Sequence, residues 1–441
     1  MNSEKLIVIQ LNEINFDLVK KYVDDNKRLP NFKKLFDSFN YSFSTSEKKY
    51  NHLEPWIQWV SANTGKSYEE HKVFRLGDIT NTENLPQIFE KLESMGLKVG
   101  AISPMNAKNN LKKPVYFIPD PWTDTEPDNS DFSRRIDRML SQTVNDNSQG
   151  KISFSSFITL IEMVIKSIDI KNIFYFISMV TEAVFRKKWI KPMVLDYLIH
   201  KLHIKLIKDK SPDVSFIFLN GGAHIQHHYM HNSPYIDSEC INPDWYVPSS
   251  EDPFFDMLKI YDEIIGEYVK NNNKIILATG LTQTPFEKSQ FYWRLKDHKK
   301  FLSRLGVKYI KILPRMTRDF EVFFNNKLDQ EKAIKILKEL RLARDNKVIF
   351  EDIEVRKRSI FVTLTYPDEI IKSDHIKYNE KTINIYEHLT FVAIKNGMHN
   401  EKGYVFTSKN IKEKFVDGQH IKSLFQLILN SISFQNKSSE F

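Results

Sequence analysis

Three short runs constrain this chain's fold more than any other feature: KLIVIQL (Lys5–Leu11), DVSFIFLN (Asp213–Asn220) and KIILATG (Lys274–Gly280). Each is a continuous apolar stretch rich in branched residues, the pattern of a strand buried on both faces of a parallel sheet. Segments of helical character alternate with them. LPNFKKLFDSF follows the first run. LPQIFEKLESMG ends at a glycine before a further strand, LKVGAIS, and FFDMLKIYDEIIGEYVKNNN precedes the third run. This alternation predicts an α/β fold with a mostly parallel sheet flanked by helices, with ligands at the carboxyl ends of the strands.

Two stretches break the rhythm. The segment 151–209 reads as a helical insertion with many aromatics and the basic run FRKKWIK (Phe185–Lys191). It is either a plain solvated helical face or a surface for a membrane or a lipid-linked substrate. The segment 286–373 reads as strand, helix and two strands, a small α+β cap. The expected α/β core is therefore 1–150, 210–285 and 374–435, and the tail from Ser433 is expected to fray.

With 441 residues, the chain is long enough for one large domain with insertions or for two domains. Only 13 glycines are present and no Gly-rich phosphate loop. A net charge of +8 tolerates phosphates or a lipid surface, and no nucleic-acid motif accompanies it. The single cysteine, Cys240, excludes an internal disulfide. The start of the chain lacks a signal-peptide layout, and the longest clearly apolar run, Asn172–Thr181, is too short to span a bilayer. The expected location is cytoplasmic, with peripheral contact at the inner membrane as an option.

Several segments, in order, resemble the alkaline phosphatase superfamily on its phosphodiesterase/nucleotide pyrophosphatase side. LIVIQLNEINFDLV…LPNFKKLF resembles the opening strand that ends in Asp-Gly before a Pro-Asn helix. SANTGKSYEEHKVF resembles the Thr-Gly-x-x-Pro-x-x-His-Gly segment. GGAHIQHHY resembles Asp-x-x-x-His, KIILATGLTQT the strand ending in Asp-His-Gly, and GMHNEKGYVFTS the late Gly-x-His segment. The resemblance implies an alkaline phosphatase-like fold. In the family, two metal ions about 4 Å apart flank a Thr or Ser nucleophile.

Carried over residue by residue, the resemblance implies a degenerate site. The first Asp ligand falls on Asn12, with Glu13 at the family's Gly. The nucleophile falls on Pro55, and the Asp-His pair falls on Gly280 and Leu281. At the other ion, the Asp falls on Ala223, but both histidines persist as His227 and His399. Two histidines alone make a poor zinc site, because three protein ligands are usual. The resemblance therefore implies no metal, or a single divalent ion on His227 and His399 with His224 or Glu13 as a third ligand.

The strand ends carry polar and aromatic residues that suit a sugar or nucleotide sugar. Asn12, Glu54, Trp56, Gln58, Arg75, Asn106, His224, Thr282, Gln283 and Arg315 are expected to bind substrate, with Glu13, His227 and His399 as the catalytic group. Trp56 and Trp59 also fit as core fillers, and His71 as a structural residue. Arg294, Lys296, His298 and Arg318 add further polar groups.

Three functional readings result. The first is a metal-independent transferase acting on a nucleotide-linked or phosphorylated sugar, in its most specific form a glycosyltransferase of bacterial surface polysaccharide assembly with a lipid-linked glycan acceptor. Glu13 or a histidine would act as general base, and no cofactor or nucleic acid would be involved. The second is a one-metal phosphodiesterase or phosphatase. The third is a non-catalytic pseudoenzyme that binds a sugar phosphate or a partner protein.

Overall fold

The computed structural model describes residues 5–25, 28–145, 153–270, 273–315, 318–378 and 381–433. The chain divides into two units. The first comprises Met1–Val144, Lys151–Pro285 and Gly397–Phe441, and most of the second is Phe286–Asn396. The tail after Ser433 lies outside the described residues.

The first unit is built on a seven-stranded sheet. From one edge the order is Phe39–Thr45, Lys402–Ser408, Lys274–Ala278, Leu6–Leu11, Val214–Leu219, Val99–Ile102 and Tyr116–Ile118. Only Lys402–Ser408 runs against its neighbours, so the sheet is mostly parallel. The three apolar runs are the three central strands, and every residue of each is buried. Ile7, Ile9, Leu11, Ile217 and Ile275 face one hydrophobic layer, and Leu6, Val8, Phe216 and Ile276 face the other. This two-sided burial is why the runs show no polar alternation. The result is an α/β fold, a mostly parallel central sheet flanked by helices.

The expected helical stretch forms helices at Phe154–Ser167, Ile170–Phe185 and Lys191–Lys210. It belongs to the first unit and is not a separate body. Met193, Leu198 and Leu202 on the third helix join the main core. Among the described residues no helix is long and apolar enough to cross a membrane.

The second unit holds a four-stranded antiparallel sheet, ordered Asp352–Val355, Ser359–Thr363, Asp319–Phe323, Lys311–Pro314. The helix Lys327–Glu339 packs on it through Ala333 and Leu337. The unit extends to Asn396, beyond the expected boundary at 373. The reason is strand pairing: Leu389–Ile394 joins Phe291–Leu295, so the chain cannot leave the unit before that pair is complete.

Candidate functional site

The central strands deliver their last residues to one place. At the end of Leu6–Leu11, Asn12 N donates to Leu219 O of the neighbouring strand, and Glu13 N donates to Thr279 O of the strand on the other side. Glu13 adopts φ 61°, in the left-handed region. That conformation costs a non-glycine residue roughly 1–2 kcal/mol, and it turns the carboxylate inward. Several bonds offset the cost. Asn12 Nδ2 donates to Glu13 Oε1 at 2.9 Å, Gln283 Nε2 donates to Oε2 at 2.5 Å, and Gln226 Nε2 donates to the Glu13 carbonyl at 2.9 Å.

Two histidines meet this carboxylate. His227 projects from the helix Gly221–Tyr229, which starts where the strand Val214–Leu219 ends. His399 lies on the strand Gly397–Asn400, directly opposite Gln283. His227 Nε2 is 3.1 Å from Glu13 Oε2, His399 Nε2 is 3.2 Å from the same oxygen, and the two nitrogens are 3.3 Å apart. Burial pushes the Glu13 carboxyl upward, but His399 and His227 together outweigh it and hold the group well below the usual carboxylate range. Glu13 is thus buried and ionised between the two histidines, and a carboxylate held this low is a weaker base than an ordinary one.

The donor set fits a divalent ion. One carboxylate and two imidazoles are a known protein complement for zinc, and ligand atoms about 2.0–2.1 Å from a tetrahedral ion lie about 3.3 Å from one another. The three observed separations match that spacing. Among the described residues this is the one cluster of three or more such ligands. Glu54 supports it from the other face, its Oε2 3.6 Å from His399 Nδ1. Of the two residues named as a possible third ligand, Glu13 lies within reach of both histidines. His224 does not. It is exposed, with its ring against His228.

The Asn12 carboxamide, next to Glu13 in sequence, is taken up by neighbouring side chains. Trp59 Nε1 donates to Asn12 Oδ1 at 2.7 Å, and Asn12 Nδ2 also donates to Asn220 Oδ1 at 2.8 Å. The Asn12 amide is therefore committed to the protein, against its expected role in substrate binding. Gly280, at φ 74°, lies against the same indole.

Other expected binding residues are also structural. Gln58 is buried and bridges His52 O and Glu47 N. Asn106 accepts from Gly77 N and donates to Trp56 O and Arg75 O. Trp56 Nε1 donates to Phe74 O, and the Arg75 guanidinium lies over the Phe74 ring. Thr282 is buried opposite Asn400. Arg315 belongs to the second unit, where it pairs with Glu321 at 2.5 Å. Arg318 of that unit lies over Tyr292. His71 is held by Ser61 Oγ and Val73 N, as a structural residue would be. Glu54 and Gln283 do reach the cluster. Gln226 and Asn15, which orient Glu13 and Gln283, were not anticipated, although Gln226 immediately precedes His227.

No protein-family model and no curated protein matches the chain. Solved structures do. Phosphonoacetate hydrolase from Sinorhizobium meliloti superposes with a TM-score of 0.42 at 10% identity, covering 98% of this chain and 96% of that one. The alkaline phosphatase of the Antarctic bacterium TAB5 gives 0.41 at 10% identity, over 98% and 99%. Murine ectonucleotide pyrophosphatase/phosphodiesterase 5 gives 0.41 at 11%, over 96% and 94%. These neighbours are alkaline phosphatase superfamily members. They are hydrolases by name, and the glycosyltransferase expectation is corrected accordingly, together with its polysaccharide-assembly setting.

Proposed function

We propose that this chain hydrolyses a phosphate ester with one divalent ion held by Glu13, His227 and His399. The observation that supports the reading is the mutual spacing of the three ligand atoms, 3.1, 3.2 and 3.3 Å. When bound, such an ion supplies Lewis acidity to a phosphoryl oxygen and lowers the pKa of water.

The chain's own residues do the rest. Asn12 and Gln283 fix the two oxygens of Glu13, so that Oε2 faces both histidines. The His227 side chain is 30% exposed against 2% for Glu13, which leaves the cluster open to substrate on the His227 side. Pro55 begins the helix Pro55–Thr64 and offers no nucleophilic atom, so water attacks phosphorus directly. The water oxygen forms the new P–O bond as the ester P–O bond breaks. Glu54, beside His399 and 32% exposed, is positioned to take the water proton and pass it to the leaving alkoxide.

The test combines metal analysis with turnover of nitrophenyl phosphate and bis(nitrophenyl) phosphate. One zinc or manganese per chain, lost in His399→Ala, with hydrolysis abolished by chelator, is the expected result. A metal-free chain, or hydrolysis indifferent to chelator, overturns the proposal.

A further inference from the structure

The helices Phe154–Ser167 and Ile170–Phe185 have their bulky apolar side chains on the outside. Eleven of the 22 exposed large hydrophobic residues among those described lie on this pair. Phe154, Ile165, Ile170, Phe174 and Phe185 are between 75% and 86% exposed. On the first helix the exposed apolar positions recur every three to four residues from Phe154 to Ile165, so they form one stripe. The inward face of that helix carries Ser156, Thr159, Met163 and Ser167. An ordinary surface helix has the reverse arrangement.

The charges at the margins select the occupant. Lys166 and Lys171 flank the connection between the helices, and Arg186 and Lys188 follow the second. All four are exposed, and Asp169 is the one exposed acid in the segment. Glu162 is drawn into pairs with Arg135 and Lys166. The basic run expected to form the docking surface contributes only in part. Trp189 is buried, and Lys187 is bound to Glu251 and Asp256.

We infer that this helix pair lies in the headgroup region of an anionic phospholipid bilayer. At 14 and 16 residues the helices are too short to span one. An apolar stripe bordered by lysine and arginine is the form of an interfacial anchor: the rings enter the acyl boundary while the cations meet lipid phosphates. A second copy of the chain would bring a like-charged margin to the contact, which favours the lipid surface over self-association.

The experiment is co-sedimentation of the full chain with vesicles of phosphatidylcholine alone and of phosphatidylcholine mixed with phosphatidylglycerol. Binding to the mixed vesicles is expected, and a Phe154→Ser, Ile165→Ser, Phe174→Ser, Phe185→Ser variant abolishes it. These side chains are exposed, so unchanged circular dichroism and melting show that the variant is folded. Replacing Lys171, Arg186 and Lys188 by glutamine lowers binding about five-fold each. Failure to bind either vesicle, undiminished binding by the serine variant, or equal binding to both vesicle types overturns the inference. A dimer that the serine substitutions disperse, with no vesicle binding, assigns the face to a second copy and also overturns it.

Discussion

A Cβ placed on Gly280 would lie 3.1 Å from the indole of Trp59. The same indole donates to Asn12, so one aromatic side chain both closes the space at Gly280 and occupies the Asn12 amide oxygen. Among the described residues, the one cluster that could hold an ion is Glu13, His227 and His399.

Metal binding is expected to be visible as stability. A ligand at 100 times its Kd stabilises a folded protein by about 2.7 kcal/mol. Zinc or manganese should raise the melting temperature of the native chain and not of Glu13→Gln or His227→Ala. A shift that persists in both variants would place the ion elsewhere.

Gly280→Asp should not create a metal site. At φ 74° and against Trp59, the new side chain meets both backbone strain and overpacking. The expected loss is about 2–4 kcal/mol, read from the denaturant midpoint, with no gain in bound metal.

Gly397 offers a paired test. A Cβ there would lie 2.1 Å from Gln283 Oε1 and 2.7 Å from the Gln226 carbonyl oxygen. Gly397→Ala should cost about 1–3 kcal/mol. Adding Gln283→Ala should relieve the first clash and leave the second, which is backbone. A double-mutant cycle on chemical denaturation measures the coupling.

Acid stability should depend on two buried groups of opposite sign. Burial lowers His203 to about 3, so the unfolded chain binds its proton first and stability falls as pH drops below about 6.5. Burial raises Asp196 to about 6, so the folded chain holds that proton more tightly, and its contribution improves as pH falls from 6 toward 4. The two slopes oppose each other in that window. Asp196→Asn should therefore steepen the loss of stability between pH 6 and 4, measured by urea titration across pH.

The sheet was legible because burial on both faces leaves a mark in sequence: Leu6–Leu11, Val214–Leu219 and Lys274–Ala278 are apolar at nearly every position. The pairing of His227 with His399 was an expectation from the resemblance of their two segments to the histidine-bearing motifs of a known family. Glu13 was harder to interpret. Its carboxylate belongs to a residue next to the expected ligand position, and only a left-handed turn brings it to the histidines. The amides of Asn12, Gln58 and Asn106 suited a ligand by residue type, and the structure uses them internally.

By itself, then, the sequence determined the layered α/β arrangement, which follows from local pattern, while the two histidines were expected from a motif resemblance. Tertiary structure decided which carboxylate joins them, how Trp59 engages Asn12, and which face of the Phe154–Phe185 helices points outward. Each of these depends on which residues distant in the chain come within a few ångströms, and apolar periodicity does not encode that.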